Sequence, residues 1–264
     1  MGTRAIPPCA SGGRGERVAA RLVRVRIVVV SDVHSNLLAL DAVLAAAGSV
    51  DATWHLGDVV GYGPEPDAVV DRLIERGAIG VRGNHDGAAT GGTEIDWFNP
   101  DARAAIEWTR ETIAPTTRQW LDALPRRREE AGVTLVHGSP RDPTWEYVTT
   151  VSIARASLAA ITTRHGLHGH THVPIVYTEV DGRMRAFEPR AGNSVALDQG
   201  RMFLNPGSVG QPRDGDPRAS YLVLDLDAGS ATWGRVAYDV EAVGQQMRAA
   251  GLPGRLADRL RHGL

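Results

Sequence analysis

The chain has 264 residues, a length that suits one large α/β domain, and its 42% hydrophobic and 23% charged residues make an ordinary globular composition able to bury a full core. Lys+Arg 29 against Asp+Glu 31 leaves a formal net charge of -2, so the basic surplus needed for counterion release from a polyanion is missing, and a nucleic-acid polymer is not an expected partner. The single cysteine, Cys9, fits a reducing compartment and makes a cytoplasmic location the default, and no apolar run approaches the ~20 residues of a membrane span.

Residues 1–24 intersperse Arg4, Arg14, Arg17, Arg21 and Arg24 with glycines and read as a disordered tail; a natural start near Val23 or Val25 is the alternative. From Arg24 to Val30 a β-branched run ends at Ser31-Asp32 and predicts a buried strand. Leu37, Leu38, Leu40, Val43 and Leu44 follow at helical spacing, with Ser35 or Asn36 as N-cap. The pattern repeats as a strand over Ala52 to Leu56, a loop from Gly57 to Pro66, a helix over Asp67 to Arg76 and a strand over Ala78 to Val81. Such alternation predicts a largely parallel sheet with functional residues on the loops at the carboxyl ends of its strands.

A Gly-rich stretch from Gly87 to Gly92 reads as a mobile flap, followed by helices over Asp101 to Ile113 and Thr116 to Leu124; Trp97, Trp108 and Trp120 are expected in the core. Strands are predicted over Val133 to Val136, His165 to His168, Ile175 to Val180, Arg183 to Glu188, Arg201 to Leu204 and Ala219 to Leu226, with Asp181-Gly182 as a hairpin turn, forming a second, mixed or antiparallel sheet. A helix near Val240 to Ala250 and a polar tail over 254–264 close a single domain spanning 25–253.

The chemistry collects after these strands. Asp32 and His34 end the first, where extended geometry would put them on one face, and a carboxylate with an imidazole is a mixed oxygen/nitrogen ligand set. Gly57-Asp58 ends the second, Gly83-Asn84-His85-Asp86 the third, and His137-Gly138 and Gly169-His170-Thr171-His172 come later. Each motif alone is as well explained by a turn, a cap or a surface imidazole. Five segments that each place such groups after a strand, in a chain with nine histidines, point to a metal site.

In this order the motifs resemble those of the calcineurin-like metallophosphoesterases, over roughly Ile27 to Tyr221. The resemblance implies a four-layered α/β/β/α sandwich of two mixed sheets flanked by helices, with a dimetal site at the carboxyl ends of the strands. It implies that Asp32, His34 and His172 hold one divalent transition-metal ion, that Asn84, His137 and His170 hold the other, and that Asp58 bridges them. Manganese is the first expectation, with Fe, Zn, Ni or Co as alternatives. Such a site hydrolyses phosphomonoesters or phosphodiesters by in-line attack of a bridging hydroxide between ions about 3.5–4 Å apart. His85 is implied as the proton donor or transition-state stabiliser, and Asp86 either orients it or caps a helix.

The loop GDVVGYGPEP departs from the Gly-Asp-x-x-Asp-Arg-Gly signature of Ser/Thr protein phosphatases and lacks its phosphate-gripping arginine. With Ser31-Asp32-Val33-His34 and the run from Asn205 to Arg213, it is similar to the small bacterial and archaeal phosphodiesterase-like branch. The expected substrate is a small phosphorylated metabolite, with nucleotides and dinucleoside polyphosphates among the candidates; a protein phosphatase and a non-catalytic interaction scaffold are the alternatives. Arg213 either contacts phosphate or pairs on the surface with Asp214 or Asp216, and Tyr62 either stacks on a base or packs under its loop. His168, two residues from His170, would share its face in a strand and is either a third-metal ligand or a buried histidine; His55 is expected to be structural.

Overall fold

Strand β1 (Arg26–Val30) is apolar on both faces because both are covered. Val28 and Val30 pack with residues of helices α1 (Leu37–Ala46), α2 (Pro66–Glu75) and α5 (Pro115–Ala123), among them Leu40, Val43, Val69, Leu73 and Leu121. Ile27 and Val29 face the other way, into a core shared with Leu135, Leu167, Val176 and Leu204 of a second sheet. The computed structural model describes residues 25–264, so the expectations for the N-terminal tail and Cys9 lie outside the described residues.

The first sheet joins β1 in parallel to β2 (Ala52–His55) and then β3 (Ile79–Gly80). On its other side β1 pairs antiparallel with β11 (Ala219–Asp225), with Val28 opposite Val223, followed by β12 (Ser230–Val236) and β9 (Ser194–Ala196). The second sheet has the order β4 (Arg127–Glu130), β5 (Val133–Val136), β6 (His165–Leu167), β10 (Arg201–Asn205), β7 (Ile175–Val180) and β8 (Arg183–Phe187). Helix α6 (Val151–Ala159) covers its outer face through Ala154 and Leu158, which pack with Phe203 and Tyr177. Two mixed six-stranded sheets with helices outside both give the predicted four layers.

Several expectations are corrected. Ala219–Asp225 joins the first sheet, because β1 has an open edge for its ladder. The expected flap over Gly87 to Gly92 is mostly helix α3 (Asn84–Thr90), ended by Gly91 at φ +86°, the left-handed geometry of a helix stop. Residues 254–264 are not a polar tail: α8 (Gly254–Leu260) buries Leu256, Ala257 and Leu260 against α4 (Pro100–Thr112) and α7 (Val240–Ala249). Trp97 is 80% exposed, whereas Trp108 and Trp120 pack against core clusters. No helix among the described residues is long and apolar enough to cross a membrane.

Candidate metal centre

The predicted ligand residues all lie just beyond strands, six of them on loops and Asn84 at the first position of α3, and several of these loops continue the ladders. Asp32 N–H donates to Gly57 O (3.1 Å), His34 N–H to Asp58 O (3.0 Å) and Gly169 N–H to His137 O (2.9 Å). Asp32 and His34 are therefore brought together by a turn and not by the extended geometry expected. Asp32, His34, Ser35, Asp58, Tyr62, His170 and His172 adopt positive φ between 48° and 67°. Left-handed backbone costs a non-glycine residue about 1–2 kcal/mol, so its concentration here marks a segment shaped for something other than stability. Gly83 and Gly169 let the loops close up: a Cβ at Gly83 would overlap Asp58 Oδ1, and one at Gly169 would overlap Ser31 Oγ.

The structure brings all seven candidate ligands together. Ligand atoms of Asp32, His34, Asp58 and His172 lie within 4.8 Å of one another, as do those of Asp58, His137 and His170, and Asp58 belongs to both groups. Its Oδ2 is 3.7 Å from His34 Nε2 and 3.4 Å from His137 Nε2, while its Oδ1 accepts the His85 backbone N–H at 2.8 Å. Asn84 Oδ1 is 2.9 Å from His137 Nε2, which is also 3.0 Å from His170 Nδ1.

Hydrogen bonding fixes what these atoms offer. His34, His137 and His172 each point Nδ1 at a backbone carbonyl, of Val60 (3.2 Å), Leu56 (2.8 Å) and Gln211 (2.6 Å). A carbonyl only accepts, so each Nδ1 carries the proton and, in the neutral ring, Nε2 presents a lone pair. His34 Nε2 and His172 Nε2 then face each other at 3.2 Å, with Asp32 Oδ1 3.2 Å from His172 Nε2 and, though buried, without a hydrogen bond. With the rings neutral these are acceptors converging on one another, an arrangement that a bound cation relieves; burial also raises the Asp32 carboxyl to about 7, which marks the cost of holding it there ionised without one. Burial holds His34, His170 and His172 well below the ordinary histidine range, which keeps them neutral. At His137 burial is outweighed by the carboxylates of Asp58 and Asp32, which raise it to about 9 and so favour positive charge at its free nitrogen. The buried Asp and His groups suit a divalent metal site.

Around this centre the other candidates divide. The His85 ring is buried, with Nδ1 unpartnered among the described residues, and packs 4.8 Å from His34 and 4.4 Å from Tyr62. Burial, together with Arg213 and His137, lowers it to about 4 against the pull of Asp58, so it is a neutral imidazole at neutral pH. The expectation that Asp86 orients it is corrected: Asp86 accepts from the N–H groups of Val59 (2.8 Å), Val60 (3.1 Å) and Gly83 (2.9 Å), capping α3 and tying down the loop after β2. Base stacking on Tyr62 is also corrected, since its ring is 5% exposed and lies against His34 and His85, which leaves no face for a ligand. His168 belongs to neither ligand group: it follows the end of β6, stacks on Phe203 at 4.6 Å and has its Nδ1 3.3 Å from Asn205 Nδ2.

Arg213 reaches the centre from the loop after β10. That loop is pinned by Val209 N–H to Ser31 O (3.0 Å), Gly210 N–H to Asp32 O (3.0 Å) and Ser208 Oγ–H to Asp32 O (2.8 Å). Arg213 Nη2 donates to Gln211 Oε1 (2.8 Å) and Tyr62 Oη (3.4 Å), and its Nε is buried without a partner among the described residues. The surface pairing considered from sequence does not form, because Asp214 pairs with Arg235 and Asp216 with Arg218. Gln211 and Tyr147 escaped the sequence reading: Gln211 anchors both His172 and Arg213, and the Tyr147 ring stacks on His170 at 3.8 Å. A glutamine inside a Gly/Pro turn and a lone tyrosine carry no spacing signal.

The sequence model of the calcineurin-like phosphoesterase superfamily domain matches residues 25–229. An uncharacterised protein of Methanocaldococcus jannaschii is 34% identical over 250 residues, covering 90% of this chain and 98% of its own. The crystal structure of a metallophosphoesterase from Sphaerobacter thermophilus superposes with a TM-score of 0.84 at 44% identity, covering 91% of this chain and 100% of that one. A hypothetical protein from Pyrococcus horikoshii OT3 shares the fold at 20% identity, with a TM-score of 0.72 and coverage of 91% and 99%. With a family model over most of its length, and relatives matched end to end, the chain belongs to the calcineurin-like phosphoesterase superfamily.

Proposed function

We propose that this protein hydrolyses phosphomonoester or phosphodiester bonds of a small phosphorylated metabolite. Two divalent transition-metal ions, manganese first among them, would be held by Asp32, His34 and His172 on one side and Asn84, His137 and His170 on the other, with Asp58 common to both. The observation that carries this reading is the convergence of carboxylate and imidazole ligand atoms on two adjacent points that share one carboxylate, Asp58. Bound ions of this kind acidify a water and offset the charge of phosphoryl oxygens.

The chain's own residues supply the rest. His85 presents a neutral imidazole beside His34, able to donate one N–H to the bridging or leaving oxygen of an ester. Arg213, aimed by Gln211 and Tyr62 and without a carboxylate partner among the described residues, offers its guanidinium to a phosphate. Asp86 and Gln211 act at one remove, as positioning residues.

Metal analysis of the purified protein, followed by assay with Mn²⁺ on bis(p-nitrophenyl) phosphate, an aryl phosphate, a nucleotide panel and a phosphopeptide, tests the proposal. Turnover of small esters with little on the phosphopeptide is expected. Absence of metal together with no turnover on any substrate would leave the interaction-scaffold reading in its place.

A further inference from the structure

We propose that Phe98, Trp145 and Tyr147 form a substrate subsite beside the metal centre that selects phosphoesters carrying a planar aromatic group, nucleosides above all. This rests on the esterase reading and names its substrate class.

Two loops bring the rings together. Phe98, from the segment between α3 and α4, stands edge-on to His85 at 4.8 Å and meets Trp145, from the segment after β5, at 5.4 Å. Tyr147, from the same segment, stacks on His170 at 3.8 Å. The arc thus begins on the imidazole beside one ligand group and ends on a member of the other. Tyr147 is 46% exposed, so part of its ring is accessible from solvent directly beside the buried His170.

The rings are presented by a stiffened loop. Asp142 Oδ1 accepts from the N–H groups of Thr144 and Trp145, both at 3.1 Å, and Ser139 Oγ accepts from those of Arg141 and Asp142, both at 3.1 Å. Glu146 binds both Ser139 and Arg141. A loop fixed this way presents its aromatic side chains at little entropic cost on binding. Stacking tolerates any base and gains nothing from an aliphatic ester, and losing one stack lowers affinity by roughly ten- to a hundredfold.

The test uses the Mn²⁺-loaded full chain and matched pairs: adenosine 5′-monophosphate with glycerol 3-phosphate, and a diadenosine dinucleotide with glycerophosphocholine. The wild type should favour the nucleoside member of at least one pair by about tenfold or more in kcat/KM. Trp145→Ala and Phe98→Ala should reduce that preference, chiefly through KM for the nucleoside ester, at unchanged metal content. Trp97→Ala, at an exposed tryptophan outside the arc, should retain it. Equal kcat/KM within both pairs, or a preference that survives both substitutions, overturns the subsite while leaving the esterase intact. If no ester is turned over, the esterase reading falls, and calorimetry still judges the subsite: adenosine monophosphate binding no tighter than glycerol phosphate overturns it.

Discussion

At the scale of single residues, the structure sets the converging candidate ligands apart from His85 and Arg213 beside them, and substitutions should separate the roles proposed for each. His85 sits outside both ligand groups, so His85→Ala should lower kcat by about 10²–10⁴-fold while both metals stay bound; loss of metal on inductively coupled plasma analysis would mean that the imidazole is a ligand after all. Arg213 gives a second contrast. A guanidinium can take two phosphate oxygens at once and lysine cannot, so Arg213→Lys should cost about 1.5–3 kcal/mol in kcat/KM on a nucleotide, with less effect on a minimal aryl phosphate. Unaltered kinetics on every substrate would remove Arg213 from the site. That a metal site follows the strands was legible because Asp, Asn and His recur after successive strands; which seven of them are candidate ligands came from the resemblance to the family, since spacing alone does not choose Asn84 over His85. Asp86 and Tyr62 were left between two roles because their sequence positions say nothing about direction: the Asp86 carboxylate turns back to three backbone N–H groups, and the Tyr62 ring turns into the core.

Secondary-structure elements were legible where local pattern decides them. The apolar run of β1, the Asn36 cap of α1, whose side chain accepts from Ala39 N–H at 3.1 Å, and the Asp181-Gly182 turn, with both residues at positive φ, needed no distant partner. Strand β4 reads Arg-Arg-Glu-Glu and is a strand only because β5 offers it a ladder, and β11 crosses to the first sheet for a partner far away in the chain, Arg26 pairing with Asp225. Such choices are non-local. One buried contact between elements carries its own prediction. His55 of β2 lies 5.5 Å from Trp120 of α5, with both ring nitrogens buried and unpartnered among the described residues, and burial, aided by Arg128, lowers it to about 3. Its folded value lies below the unfolded one near 6.5, so the unfolded chain takes up the proton first; stability is full above about pH 6.5 and declines as pH falls toward 3. Between pH 6.5 and 5.0 this one group should cost about 2 kcal/mol. Urea unfolding in chelator should therefore show a smaller loss over that interval for His55→Leu than for the wild type, by about that amount. Equal losses would mean that His55 is protonated or solvated in the folded protein.

On the scale of the whole molecule, the metal centre is a seam between the two sheets. Asp32, His34, Asp58 and Asn84 follow strands of the first, while His137, His170 and His172 follow strands of the second. The sheets also share the core of Ile27, Val29, Leu135 and Leu204, which holds them together apart from this centre, while repulsion among converging acceptors acts at the seam when the rings are neutral and no cation lies between them. Metal that binds only the folded chain stabilises it by mass action, about 2.7 kcal/mol for one site at a hundred times its Kd. For a domain of this size that raises Tm by about 5–10 °C. Manganese added to chelator-treated protein should give a shift of that order in scanning calorimetry. Asp58→Asn should largely abolish it, because the one carboxylate common to both groups loses its charge; the asparagine can still accept the His85 N–H, which keeps the loop in place. The substituted protein should therefore unfold cooperatively, with a Tm near that of the metal-free wild type, and should lose most turnover. A variant that gains as many degrees from manganese as the wild type would show that the two ligand groups are independent and that Asp58 is not their bridge.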